Sequence, residues 1–444
     1  MMSYPRDNRL SYNEWRIISI PCRRGGLLSD MNIPYDVIVV GARVAGSALA
    51  YELSRFGYSV LLLDRSSFPS DTLSTHNFFN NSIAMLREMG VLDKLLATGT
   101  PTYRRAKLTT GHAVIDGEFP EANGETACMS IRRKHLDGIL FEHAAVQPGV
   151  DALQGFRVTE LLKEGDAVRG VVGTHRDGRV ERFAARFVVG ADGRRSAVRD
   201  LAGSRCEIRV PTDYASYVGY FTGFRQSGER HVEMYKTDDT IVIAFPTSDG
   251  QYVVGVMFPL MRKAWIDAMK ETPEECFRAA VDAGLAHTDF PARLREALLA
   301  EPIRGLLGYD NDWHTGMGDG WALVGDALLF KDPAVGQGLH DALYGARALA
   351  ATLASVAKES WAARWGEMAA RYEGAMKSKL TGLFHLGCKF SRLSPVTTEE
   401  EAVNGLIGSD PQATRTFLGL YNYTSGPEDV EREVGRLLAA RSIS

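Results

Sequence analysis

Residues Tyr35 to Arg65, reading YDVIVVGARVAGSALAYELSRFGYSVLLLDR, constrain this chain more than any other stretch. Val37-Ile38-Val39-Val40 is a β-branched apolar run of the kind that forms a strand buried on both faces. A glycine-punctuated turn follows, Gly41-Ala42-Arg43-Val44-Ala45-Gly46, and then a stretch rich in Ala, Leu and Ser that ends near Gly57. A second apolar run, Val60 to Leu63, closes on Asp64. The pattern predicts a βαβ unit laid out to bind a dinucleotide.

Each part has a physical role in that layout. Gly41 lets the chain turn sharply off the strand, and Gly46 lets helix and strand pack closely. Backbone N–H groups at the helix start, helped by the helix dipole, face a pyrophosphate. Asp64 lies 18 residues beyond Gly46, at the end of the second strand, where a carboxylate bonds ribose hydroxyls. The middle glycine of the usual fingerprint is Arg43 here. Its side chain must point away from the phosphates, or its guanidinium must help neutralise them.

The 444 residues suffice for two or three domains. A hydrophobic content of 45% and a charged content of 24% are those of an ordinary soluble globular protein. The net charge of −4 gives no electrostatic case for nucleic acid. Cys22, Cys128, Cys206, Cys276 and Cys388 are scattered without a CxxC pair, which suggests neither a disulfide framework nor a zinc site and fits a cytoplasmic protein. No apolar run approaches the ~20 residues of a membrane span. Residues 1–30 are polar and basic, lack a signal-peptide core, and read as a disordered extension or as the product of a start codon upstream of Met31.

Beyond Arg65 the polar loop Ser66 to Asn81 is placed over the carboxyl ends of the strands. There His76 reads either as a proton shuttle or cofactor contact, or as a loop histidine bonded to a backbone carbonyl. Helical periodicity runs through Ser82 to Ala97, and Ser130-Ile131-Arg132-Arg133 leads into a second helix, Leu136 to Ala145. Phe187-Val188-Val189-Gly190-Ala191-Asp192-Gly193 reads as a buried strand entering an Asp-Gly turn, followed by a helix start carrying Arg194 and Arg195. The acid on that turn suits a ribitol or pyrophosphate, or the segment is a plain strand–turn–helix. Residues 206–262 are strand-rich, with a hairpin of Thr240–Pro246 and Gln251–Pro259. Their aromatics, Tyr217, Tyr220, Phe224, Tyr235, Phe245 and Phe258, read as core more than as substrate contacts. Gly325-Asp326 ends a further apolar strand, and Pro333-Ala334-Val335-Gly336-Gln337-Gly338 precedes a helix from Leu339 to Leu353, placing free N–H groups at its start.

These three glycine–acid signatures resemble those of the para-hydroxybenzoate hydroxylase-like FAD-binding superfamily, which includes group A flavin monooxygenases, geranylgeranyl reductases and flavin halogenases. The resemblance covers residues 35 to about 425. It implies an α/β fold in which a Rossmann-type FAD-binding domain (31–110, 128–205, 300–372) is interleaved with a mixed-sheet substrate domain (111–127, 206–299), followed by a C-terminal helical region (373–444). It further implies that Gly41, Ala42, Arg43, Val44, Ala45 and Gly46 cradle the pyrophosphate while Asp64, with Arg65 beside it, holds the adenosine ribose. Arg133 takes the flavin-contacting arginine position, with Arg132 the fallback. Asp192 lies where the family contacts the pyrophosphate and the reduced nicotinamide. Gly325 and Asp326 meet the ribitol, and Pro333, Gly336, Gln337 and Gly338 face the pyrimidine edge of the flavin.

The chemistry so implied is that of a monooxygenase with non-covalent FAD and NAD(P)H as co-substrate. O₂ would add at flavin carbon 4a, and the hydroperoxide would hydroxylate an electron-rich aromatic, with His76 as the candidate catalytic residue. The rivals are a flavin reductase of isoprenoid or other double bonds and an FAD-binding protein without turnover. The implied partner is a small aromatic molecule, a peptide- or carrier-bound substrate being the form left open. The halogenase Trp-x-Trp-x-Ile-Pro motif is absent. Two segments depart from the relatives, Asn77-Phe78-Phe79-Asn80-Asn81 after His76 and Leu328-Leu329-Phe330 after Asp326.

Overall fold

Val37 to Val39 carry side chains that water does not reach on either face, so the first strand, Tyr35–Val40, sits at the centre of a sheet. It pairs in parallel with Val60–Asp64 on one side, Val37 opposite Val60, and with Val180–Gly190 on the other, Val37 opposite Phe187. Val150–Gln154 extends the sheet past the second strand, and Trp321–Leu323 extends it past Gly190, both in parallel. The chain therefore leaves the first strand towards opposite sides on its two returns, which opens a crevice at the carboxyl ends of these strands. The helix Val44–Arg55 covers one face, packed against Gly338–Ala354. A computed structural model describes residues 35–443 apart from Thr75; the extension expected over residues 1–30 lies outside the described residues.

A second sheet runs in the order Leu298–Leu299, Tyr214–Thr222, Gln251–Pro259, Ile241–Pro246, His231–Lys236, Arg105–Thr110 and Ala113–Glu118. The expected hairpin is present, with Ile241 opposite Met257 and Pro246 opposite Tyr252. Arg105–Thr110 pairs in parallel with His231–Lys236, so residues 105–110 belong to this sheet and not, as expected, to the nucleotide-binding layer. Arg304–Leu306 likewise pairs with Tyr214–Thr222, on the far side of the boundary drawn at 300. Arg105–Thr110 alternates buried and partly exposed side chains, unlike the continuously buried Tyr35–Val40, as a strand covered on one face does.

One face of the second sheet packs Tyr217, Phe224, Tyr235 and Phe258 against the helices Pro273–Leu285 and Phe290–Glu296, forming a separate core. The helical stretch expected over Ser82–Ala97 is two helices, Asn80–Glu88 and Leu92–Leu96, broken at Gly90 with φ +72°. The helix Trp361–Phe390 runs across the boundary drawn at 372. Thr398–Gly408, Pro411–Gly419 and Pro427–Ile443 complete the C-terminal helical region, and the first two pack on Ala113–Glu118.

Candidate cofactor and substrate site

The three glycine–acid signatures meet at the crevice. Gly41 has φ +100°, and a Cβ there would lie 2.4 Å from the carbonyl oxygen of Ala191. A Cβ on Gly46 would lie 1.7 Å from the carbonyl oxygen of Gly41. Both positions require glycine, the first for its backbone angle and the second for its closeness to the turn. Ala191 donates to the carbonyl of Val40 at 2.7 Å, and Val324 donates to that of Gly190 at 2.9 Å, so the three turns lie side by side. Gly325 faces Ala45, where an added Cβ would come within 2.9 Å of the alanine methyl.

Asp64 is buried, and its carboxylate accepts from the backbone N–H of Ala42 at 2.8 Å and of Ser66 at 2.7 Å. It therefore ties the glycine turn to the end of the second strand. Arg65 beside it is exposed. The Arg43 guanidinium turns to Asp137, with which it pairs, and donates to Ser70 Oγ at 3.1 Å. Of the two placements left open by sequence, this is the one with the side chain engaged elsewhere in the protein. Arg133 holds the other oxygen of Asp137 at 2.8 Å. The helix Val44–Arg55 has no side-chain cap, which leaves its first N–H groups available to an anion.

Asp192 accepts from Ser196 Oγ and from the N–H groups of Ala197 (2.7 Å) and Val198 (3.2 Å). Its carboxylate caps the helix Ala197–Ala202, which begins two residues after Arg195 and so does not carry the two arginines as expected. Asp326 differs. Among the described residues no hydrogen-bond donor meets its carboxylate, and a Cβ on Gly338 would lie 3.9 Å from its Oδ1. Desolvation pushes its carboxyl up to about 6, opposed by the charge of Arg133 and reinforced by that of Asp341. A half-buried acid without a protein donor, beside an uncapped helix start, fits a polyol chain such as ribitol. With the glycine cradle at the other end, these residues fit FAD.

The Pro333–Gly338 loop is held from behind. Asp332 accepts from Ala334 N–H at 2.9 Å and from the Tyr309 hydroxyl at 2.7 Å, and Gly336 has φ +66°. The Gln337 side chain does not point into the open crevice: it accepts from Lys331 Nζ at 3.2 Å and donates to the carbonyl of Tyr421 at 3.1 Å. Lys331 pairs with Asp341 at 2.7 Å, and Tyr423 donates to the same carboxylate at 3.0 Å.

Beside this loop lies a cavity. Its floor is Pro333 to Gly336, its far wall is the open face of the second sheet, including Met234, Ile243 and Phe245, and its roof is Phe79, Phe119 and Tyr421. The three roof rings pack with centroids 5.3 to 6.4 Å apart. Phe245, read from sequence as core, packs with Tyr220 and Val253 in a buried cluster and also lines the cavity, and Phe79 and Asn77 come from the segment that departs from the relatives.

His76 stands behind this cavity and does not line it. It is fully buried with φ +59°, its Nε2 is hydrogen-bonded to the Tyr220 hydroxyl, and its Nδ1 has no partner among the described residues. Burial and the nearby Arg133 charge lower its pKa to about 3, so the ring is neutral at physiological pH. Its neighbour Arg132, named from sequence only as the fallback flavin contact, has a role that sequence reasoning missed. Its side chain donates to Asp71 (2.8 Å), Glu301 (2.8 Å) and Gln251 (2.8 Å) and lies 3.8 Å from the Tyr220 ring centroid. It fastens the His76 loop to the second sheet.

The sequence profile described as FAD binding domain matches residues 34–367. The chain is 28% identical over 331 residues to a 6-methylpretetramide 4-monooxygenase of Streptomyces rimosus, covering 70% of this chain and 73% of the relative. It is 29% identical over 373 residues to a digeranylgeranylglycerophospholipid reductase of Methanothermobacter thermautotrophicus, covering 83% and 89%. The fold superposes on the flavin-dependent brominase Bmp2 with a TM-score of 0.76 at 18% identity, covering 92% of this chain and 98% of that one.

Proposed function

Because the chain belongs to the FAD binding domain family and is an FAD-dependent oxidoreductase, we propose that it is an NAD(P)H- and O₂-dependent monooxygenase hydroxylating an electron-rich aromatic molecule. The supporting observation is the aromatic-walled cavity that touches the Pro333–Gly336 loop. Among relatives, a monooxygenase and a reductase share comparable identity with this chain. The ring-lined roof favours a planar substrate over an isoprenoid chain, because aromatic faces stack on rings.

Bound FAD, reduced by NAD(P)H, supplies the activation of O₂. The protein's residues do the rest. Gly41 to Gly46 would hold the pyrophosphate through bare backbone, and Asp64, at the end of the second strand, would hold the ribose. Arg133 sets the charge beside Asp326, which would accept from the ribitol of bound FAD. Asp192 acts through the turn it holds against Gly41 and not through a free carboxylate. The backbone at Gly336 to Gly338 and the helix behind it place partial positive charge where the reduced cofactor carries negative charge. The apolar walls exclude water from the reacting atoms. His76, held by Tyr220, positions Asn77 at the cavity edge.

The domain division proposed is a nucleotide-binding layer carrying the crevice and a second sheet carrying the cavity wall. No helix among the described residues is long and apolar enough to cross a membrane. The test is NAD(P)H oxidation by holoprotein, with and without O₂, across a panel of phenols, indoles and isoprenoids. Aromatic-stimulated consumption that requires O₂ is expected; isoprenoid-dependent oxidation without O₂ would instead place the chain with the reductases.

A further inference from the structure

Of the side chains lining the cavity, none is charged, and only Asn77 and Tyr421 are polar. Asn77 Oδ1 accepts from the buried Tyr103 hydroxyl, which fixes the amide with its Nδ2 turned towards Gly336, 3.7 Å from where a Cβ on that glycine would stand. Among the described residues no acceptor meets that N–H₂ group. Tyr421 is held by its backbone through Gln337, while its own hydroxyl has no partner among the described residues. Burial alone pushes that hydroxyl's pKa up to about 12. Two side chains whose polar groups have no partner among the described residues thus line one otherwise apolar cavity, where a ligand oxygen could pair with them.

We infer that the cavity selects an uncharged, planar aromatic bearing an oxygen function, whose oxygen accepts from Asn77 Nδ2 and meets the Tyr421 hydroxyl. This rests on the cavity being the substrate site of the proposed oxidoreductase. A carboxylate on the substrate is excluded, because no cation in the walls compensates its desolvation. An aromatic without oxygen leaves both polar groups unpaired, so it binds more weakly. Asn77 and Tyr421 are accordingly specificity residues. Tyr421 comes from the C-terminal region, which thereby forms part of the site. Its placement is supported by Asn422, whose Nδ2 donates to Asn80 Oδ1 at 2.9 Å and to the Pro120 carbonyl at 2.7 Å.

The test is equilibrium binding to the FAD-loaded full chain, read by perturbation of flavin absorbance, with three probes of one shape: 2-naphthol, naphthalene and 2-naphthoate. We expect 2-naphthol to bind at least tenfold more tightly than either of the others. Tyr421→Phe removes only the unpartnered hydroxyl, so it should keep its melting temperature and lose about fivefold for 2-naphthol with no change for naphthalene. Asn77→Asp keeps the acceptor for Tyr103 and removes the donor, and should abolish the preference for 2-naphthol over naphthalene. Equal or tighter binding of 2-naphthoate, unchanged preferences in both variants, or no binding of any probe would overturn the inference. Binding is read without turnover, so 2-naphthol selectivity in a protein that activates no O₂ would leave this assignment standing and remove the monooxygenase reading instead.

Discussion

Arg43 and Asp137 form an ion pair that joins the glycine turn to the helix Arg133–Ala145. Asp137 is fully buried and holds Arg133 with its other oxygen, so one carboxylate serves two guanidinium groups. The residue that replaces the usual middle glycine therefore anchors the turn from outside. Asp137→Asn leaves both arginines short of a charge, and a cost of about 3 kcal/mol in urea unfolding is expected. Arg43→Gly, which leaves the Arg133–Asp137 pair intact, should cost less than half of that and retain FAD. A larger loss from Arg43→Gly than from Asp137→Asn would contradict this ordering.

Asp326→Ala should yield folded protein with little bound cofactor. The lost acceptor is worth about 1.5–3 kcal/mol of binding, a ten- to hundredfold weakening or more. Flavin retained after exhaustive dialysis, at the unsubstituted level, would show that Asp326 does not contact FAD.

The same carboxyl gives a pH signature. Burial pushes Asp326 up to about 6, and does so for Asp332 as well. An acid raised above its unfolded value favours the folded state below that value, and the contribution is lost as pH rises through about 6. Cofactor-free protein should therefore lose stability between about pH 4 and pH 6 through both groups, and Asp326→Asn should remove part of that slope. An identical slope in the variant would place Asp326 in contact with water.

How far the sequence was legible depends on the range of the interactions. The first strand and its turn were readable because a run of apolar side chains, two glycines and an acid all lie within 31 residues, Tyr35 to Arg65, and the steric need at Gly46 is local. The loop after Asp64 was placed correctly over the crevice, since Asn77 reaches Gly336. Arg132 was not legible as a fastener, because its partners Asp71, Gln251 and Glu301 come from three distant segments. The cavity roof was hidden for the same reason. Tyr421 meets Phe79 across more than three hundred residues, and nothing in the pattern of either segment announces the other.

His76 tests the loop itself. Its pKa is lowered to about 3 by burial, so its contribution to stability is complete above about pH 6.5 and is lost as pH falls towards 3. His76→Ala leaves the Tyr220 hydroxyl unpaired and should cost about 1–3 kcal/mol. If the histidine positions Asn77, the variant should also lower coupled product formation by about 10²-fold, and Tyr220→Phe should lower it in the same direction. Loss of stability with unchanged coupling in both variants would confine His76 to a structural part.

The most direct measurement is isotopic. Holoprotein, NAD(P)H and a panel of uncharged phenols and hydroxynaphthalenes are incubated under ¹⁸O₂, and products are read by mass spectrometry alongside NAD(P)H consumption. A product carrying one ¹⁸O atom, absent when either O₂ or NAD(P)H is withheld, is expected. NAD(P)H oxidation that proceeds without O₂ and saturates a double bond, with no ¹⁸O in any aromatic product, would contradict the account.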